Sequence, residues 1–272
     1  MTIFAGLALG VVIGAVLGAL GGGGAVLTVP ALVYLLGQPA GEATTSSLFI
    51  VGLTSIVGVL SHARSGNVRW RTGLAFGAAG TAAALLGSIV NQHVDPDLLL
   101  LVFAAFMALA ATGMLLNSRA RSDGESVPEE SPVVAGPAGP TAVTTRAPTL
   151  ATVKVVLIGT AVGFLTGLLG VGGGFIIVPA LVLAIGLPMP AAVGTSLLII
   201  VINSAASLAA RVGTAHFDWA LLVPFTLAAM VGTLAGKRVA DRLPAAVSTR
   251  AFAVLILAVA AYTVGNTVLH PH

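Results

Sequence analysis

The sequence predicts an all-α integral membrane protein built from two homologous helical repeats. Three observations predict it: a composition that water cannot solvate, apolar runs of helical length, and a self-match at a shift of 149 residues. Of 272 residues, 57% are hydrophobic and only 8% are charged, against roughly 25% charged in a soluble domain. A soluble chain needs a charged shell, and this one lacks the residues to build it. Lipid is therefore the expected solvent. The hydrocarbon core of a bilayer is about 30 Å thick and takes about 20 apolar residues per helix. Outside the polar stretch 118–150, the apolar sequence suffices for about eight full spans. Barrel strands alternate polar and apolar residues, and these runs do not.

The self-match needs no gap. Gly14, Gly18, Gly21, Gly23 and Gly24 fall on Gly163, Gly167, Gly170, Gly172 and Gly173. Val29-Pro30-Ala31-Leu32-Val33 falls on Val178-Pro179-Ala180-Leu181-Val182, and Trp70 falls on Trp219. Glycines alone could align by chance in so glycine-rich a chain. Both tryptophans, a five-residue run and the Gly37/Gly186 and Pro39/Pro188 pairs in one register mark an internal duplication. The chain divides into membrane repeat 1 (1–117), a flexible polar linker expected on the cytoplasmic side (118–150), and membrane repeat 2 (151–272). The linker is rich in Pro, Gly, Ser, Thr and charge, a composition that buries too little apolar surface to offset its ordering entropy.

In each copy a long apolar stretch (Ile3–Leu36; Thr152–Ile185) is interrupted by glycines, and three cleaner helices follow. These are Ala43–Ser61, Thr72–Asn91 and Leu98–Leu116, matched by Ala192–Ala210, Leu221–Gly236 and Ala251–Leu269. Up to ten membrane elements result if each broken stretch contributes a half-helix or re-entrant pair. Lys and Arg near span ends stay cytoplasmic. If each broken stretch is a hairpin, the copies are inverted, and 11 of the 12 basic residues lie inside, with Arg211 alone outside. If each is a single crossing, the copies are parallel and the count is 8 against 4. The charge count favours inverted repeats, although a tight re-entrant segment would satisfy it equally.

Several function classes are excluded or disfavoured. The absence of cysteine removes disulfides, thiolate catalysis and cysteine metal sites. Paired carboxylates, Ser/His/Asp spacing and clustered metal ligands are missing, so no enzyme, metal centre or cofactor is expected. The 12 basic residues are too few and scattered for nucleic acid. No Asp, Glu, Lys or Arg falls centrally in an expected span, which argues against a buried carboxylate relay or a charge-lined channel. With no basic residue before Arg64, the first apolar run lacks a signal peptide's n-region and is expected to be a retained membrane segment.

The most informative motifs are Gly21-Gly22-Gly23-Gly24 and Gly170-Val171-Gly172-Gly173-Gly174. Glycine runs deep in an apolar segment unwind a helix, and lipid tolerates exposed backbone only where it is buried in protein or lines a cavity. The helix that restarts presents free N–H donors and partial positive charge. Paired broken helices in two repeats point to a transporter's binding site. The competing reading is close helix packing, which small residues provide throughout membrane proteins. On the first reading, Gly22, Gly23, Gly24, Gly172, Gly173 and Gly174 hold an anion through their backbone. Pro30 and Pro179 are read as structural kinks.

The second helix of each copy opens with small hydroxyl residues. Ser47, Thr195, Ser196 and Asn203 are candidate donors to an oxyanion, since hydroxyls and an amide bind one without carrying a charge across the bilayer. The alternative is that Ser and Thr bond back to the preceding turn or cap a helix start. Glu42, His62, Arg64, Arg211 and His216 flank spans and are candidates for a vestibule or for solvated interfacial roles. Trp70 and Trp219 fit interfacial anchors. His270 and His272 read as a solvated tail.

These paired segments, with Gly37-Gln38-Pro39 leading to Thr45-Ser46-Ser47-Leu48 and Gly186-Leu187-Pro188 leading to Gly194-Thr195-Ser196-Leu197, resemble the sulfite exporter TauE/SafE family. The likeness covers both repeats. It implies a multi-pass permease of the bacterial or archaeal inner (cytoplasmic) membrane, with substrates among sulfite, organosulfonates and related sulfur-containing anions. The expected function is thus a secondary transporter whose partners are a small anion and the lipid bilayer, with H⁺ or Na⁺ as candidate coupling ions. A passive anion channel and a non-transporting scaffold are the alternatives.

Overall fold

The computed structural model describes residues 2–91, 93, 96–123, 148–169, 174–211 and 217–269. The first half contains α1 (Thr2–Leu20), α2 (Gly23–Pro30), α3 (Ala40–Arg64), α4 (Trp70–Asn91) and α5 (Pro96–Asp123). The second contains α6 (Pro148–Leu169), α7 (Gly174–Pro179), α8 (Met189–Ala209), α9 (Trp219–Ala240) and α10 (Ala245–Leu269). Among the described residues no strand occurs. The bounds of α4 and α9 coincide under the 149-residue shift, and both helices open on a half-exposed tryptophan. At the ends of the expected linker, residues 118–123 continue α5 and 148–150 begin α6; residues 124–147 lie outside the described residues.

By length and composition, four helices can cross a membrane: Gly41–Arg64, Trp70–Val90, Met189–Ala209 and Trp219–Ala240. Five shorter apolar segments accompany them, including Gly6–Leu20, Thr152–Leu168 and Gly174–Ala184. Large apolar side chains on α4 and α9 point outward. Leu86 and Val231 are 62% and 63% exposed, alongside Leu85, Ile89, Val223 and Leu227. A surface this apolar suits lipid contact.

Local chemistry explains the breaks. Both short helices end on proline, which has no N–H for the carbonyl four residues back and crowds it with its ring. In both copies the backbone widens into one π-helical turn directly afterwards, at Ala31–Leu35 and Ala180–Ala184. Each segment then stops at a glycine with positive φ, Gly37 at +68° and Gly186 at +82°. The following residue closes the turn, Gln38 N–H donating to the Leu32 carbonyl at 3.0 Å and Leu187 N–H to the Leu181 carbonyl at 2.9 Å. This six-to-one bond is a Schellman cap, and a side chain at the glycine would be strained.

The two halves interleave. Helix α1 packs on α9, and α6 packs on α4, through glycines that let backbones touch. A Cβ at Gly14 would reach 2.7 Å from the Ala229 carbonyl carbon, and one at Gly18 would meet Thr233. In the other pair, a Cβ at Gly163 would meet Gly80 and one at Gly167 would meet Ala84. Position for position, these are the same interface under the shift. Contact order also fixes direction. Gly10, Gly14 and Gly18 meet Phe225, Ala229 and Thr233 in turn, so α1 and α9 run parallel. Gly52 meets Ser204 while Gly58 meets Leu197, so α3 and α8, which are equivalent helices, run antiparallel.

Helices α3 and α8 form the centre, with nearly every residue from Met189 to Ile200 buried. The cluster around them includes Val51, Val59, Phe175, Ile176, Leu197 and Phe252. In lipid the hydrophobic effect does not drive helices together, so cohesion comes from close packing and dispersion.

Because overpacking a tight contact costs about 1–3 kcal/mol, Gly14→Val and Gly163→Val are expected to lower the thermal midpoint in detergent by similar amounts. Gly41→Ala, with nothing within 4 Å of its added Cβ, is expected to leave it unchanged or higher. Wild-type melting of both valine variants would rule out this packing.

Candidate functional site

Helix α1 ends where Gly21 adopts a φ of +71°, its N–H donating to the Leu17 carbonyl at 2.8 Å. The chain then doubles back. A Cβ at Gly24 would lie 2.6 Å from the Leu17 nitrogen, so α2 rests against the last turn of α1. The turn retains part of its own bonding, with Gly24 N–H donating to the Gly21 carbonyl at 3.4 Å and Ala25 N–H to that of Gly22 at 3.2 Å. The donor of Gly24 is thus engaged, weakly, within the break, whereas the sequence reading expected it free. Gly21 and Gly22, where the helix breaks, are both buried. The break therefore falls inside the bundle.

The two breaks meet each other. A Cβ on Gly22 would collide with the Gly174 carbonyl, and one on Gly174 would come within 3.0 Å of the Gly22 oxygen. Gly21 packs on the first turns of α8, where an added Cβ would lie 2.5 Å from Ser196 Oγ and 3.3 Å from Val193 Cα. Gly174 opens α7, fully buried. Gly172 and Gly173 lie outside the described residues, as do His216, His270 and His272. The structure thus brings Gly21, Gly22, Gly174 and Ser196 into one cluster.

The other hydroxyl candidates have separate partners. Ser47 Oγ donates to the Thr44 carbonyl at 2.7 Å, and Ser196 Oγ donates to that of Val193 at 2.8 Å. Both are back-bonds to the preceding turn, which an incoming acceptor can replace. Thr195 Oγ1 accepts from Arg69 N–H at 3.1 Å and so ties α8 to the start of α4. Asn203 Oδ1 accepts from Thr81 Oγ1 at 2.8 Å, joining α8 to α4 on a half-buried surface.

Two other hydroxyls of α3 have unused capacity. Ser46 Oγ and Ser55 Oγ, on residues 1% and 0% exposed, have no hydrogen-bond partner, a costly condition for a buried polar atom. An unpaired hydroxyl depends on neighbours from other helices, which one helix's spacing does not reveal.

The flanking residues separate clearly. Glu42 and Arg64 are exposed at opposite ends of α3. His62 does not line an open vestibule. It is 3% exposed, and its Nε2–H donates to the Gly18 carbonyl at 3.1 Å, with Nδ1 unpartnered. The imidazole lies one turn before the break in α1. Arg211 reaches the other end of α3, where Nη1 donates to Thr45 Oγ1 at 3.0 Å. Lys237, buried near the end of α9, donates to Ser65 Oγ at 2.9 Å and pairs with Asp241. Lys237 thus shares one end of the bundle with Arg64, and Arg211 occupies the opposite end.

The family described as sulfite exporter TauE/SafE matches residues 6–263. A probable membrane transporter protein of Xylella fastidiosa strain Temecula1 is 31% identical, covering 94% of this chain and 92% of its own length. The probable membrane transporter protein YdhB of Bacillus subtilis is 26% identical over 85% of this chain and 88% of its own. A probable membrane transporter protein of Methanocaldococcus jannaschii is 26% identical, covering 71% and 68%. No solved structure matches. With a match that runs through both halves and both glycine breaks, the chain belongs to the sulfite exporter TauE/SafE family.

Proposed function

We propose that this chain is a secondary transporter moving a small anion, such as sulfite, an organosulfonate or a related sulfur-containing anion, across the cytoplasmic membrane by alternating access. Family membership and the relatives' names support a membrane transporter. The observation that carries the finer reading is the meeting of Gly22 with Gly174, beside Ser196, inside the bundle. Broken helices from two halves converge there, as they do around the substrate of many secondary transporters. An oxyanion suits backbone N–H groups and hydroxyls, which supply donors without net charge.

The anion is held by the backbone of Gly22–Gly24 and Gly172–Gly174, with Ser196 nearest and Ser47 its counterpart in the first half; Thr195 and Asn203, held against α4, lie outside this donor set. Access alternates by movement along the α3–α8 seam. The glycine-locked pairs α1–α9 and α4–α6 join the halves and move as bodies. Backbone contact between the breaks favours a closed, alternating site over an open channel. The antiparallel run of α3 against α8 supports inverted repeats. So does the placing of Lys237 beside Ser65, away from Arg211. Coupling to H⁺ or Na⁺ belongs to the same proposal.

Proteoliposomes containing the full chain are expected to show saturable uptake of labelled sulfite or a simple alkanesulfonate. Ser196→Ala is expected to raise KM by about tenfold or more, since a hydrogen bond to a charged group contributes roughly 1.5–3 kcal/mol, with little change in thermal midpoint. Absence of saturable flux for any of these anions would refute the transport reading. An unchanged KM would remove Ser196 from the site.

Orientation is testable because the chain has no cysteine of its own. A membrane-impermeant thiol reagent is expected to label Ser131→Cys only from the cytoplasmic side and His272→Cys only from outside. Labelling of both positions from one side would contradict inverted repeats.

A further inference from the structure

We propose that Arg211 and His62 are matched latches closing opposite ends of the α3–α8 seam and bracketing the site at the glycine breaks. The inference deepens the transporter reading and rests on it. Its first support is positional. The 149-residue shift that superimposes the halves carries His62 onto Arg211 and Thr45 onto Gly194. The structure brings both pairs together. Arg211, at the end of α8, bonds Thr45 near the start of α3 at 3.0 Å. His62, at the end of α3, packs on Gly194 near the start of α8, where an added Cβ would lie 3.1 Å from the His62 Cβ. One contact is the symmetry counterpart of the other.

Between these ends the seam is lined by small residues. Gly52 faces Ser204, whose Cβ would be 3.1 Å from one added to the glycine, and Gly58 faces Leu197. Ser55 and Ser204 are themselves equivalent positions. Each lies seven residues inside its latch, Ser55 from His62 and Ser204 from Arg211, which is about two helical turns. Ser55 Oγ has no partner in the closed arrangement.

The chemistry at the two ends differs. At one end a guanidinium, which binds oxyanions with charge-assisted bonds, donates through Nη1 to a neutral hydroxyl, a bond for which an arriving anion can compete. At the other, the imidazole ties α3 to the Gly18 carbonyl of α1, one turn before the break, and its Nδ1 is buried without a partner. Lys237, Ser65 and Asp241 stand at this end. Opening either latch frees one end of the seam while the other stays shut. That is the condition alternating access requires.

The test uses the full-length chain, single cysteines at the two seam serines, and a membrane-impermeant thiol reagent on right-side-out and inside-out vesicles. Arg211→Ala is expected to speed labelling of Ser204→Cys about tenfold from one side, a shift of roughly 1.4 kcal/mol in the closed-to-open balance. His62→Ala is expected to do the same for Ser55→Cys from the opposite side. Arg211→Lys and His62→Gln, which keep a donor at each latch, are expected to restore slow labelling. Acceleration from both sides at once, from the same side for both variants, or from neither overturns the proposal, and misfolding would give the first pattern. Sulfite flux by the unsubstituted chain is measured in parallel. Its absence refutes transport whatever the labelling shows, and normal flux with unresponsive cysteines refutes only the latches.

Discussion

The close approach of backbones at glycine is the constraint on which the rest of this bundle depends. In lipid there is no hydrophobic gain from bringing two apolar helices together, so association rests on how closely they fit. Gly14 and Gly18 admit α9 to main-chain contact with α1, and Gly163 and Gly167 admit α4 to α6 in the same register. Both interfaces cross from one half of the chain to the other. Neither half can therefore keep its own first and fourth helices together as a separate unit. The duplication is interleaved rather than side by side.

That interleaving decides which motions the architecture permits. A rocking of one repeat as a block against the other, the motion a sequence duplication first suggests, would have to pull apart α1–α9 and α4–α6. Those are the most extensive helix contacts described. The α3–α8 seam is also tight, but its contacts are to side chains: Ser204 Cβ beside Gly52 and Leu197 Cδ1 beside Gly58. A side chain can turn aside where a carbonyl cannot. The seam is accordingly the place where movement costs least.

Much of this was legible in the sequence because it depends on backbone chemistry. Positive φ at Gly21, Gly37 and Gly186, proline before a widened helical turn, and helices opening on Trp70 and Trp219 follow from local residue types. The same residue types recurred in one register. What was not legible depends on partners from other helices. Nothing in the spacing of α3 distinguishes Ser47, which bonds back to Thr44, from Ser46 and Ser55, which have no partner. His62 near a helix end reads as interfacial until the Gly18 carbonyl of α1 is seen to accept a hydrogen bond from it. Lys237 likewise reads as a cytoplasmic flank, yet its stem is buried and its ammonium meets Ser65 across the bundle.

Comparison of the two halves adds what neither shows alone. Where equivalent positions maintain packing they are nearly interchangeable: Gly14 with Gly163, Gly18 with Gly167, Phe76 with Phe225, Pro30 with Pro179. Where they differ in chemistry, several differences fall on the central pair: Thr45 against Gly194, Thr54 against Asn203, His62 against Arg211. The packing positions thus keep the correspondence between the halves, and the seam residues depart from it.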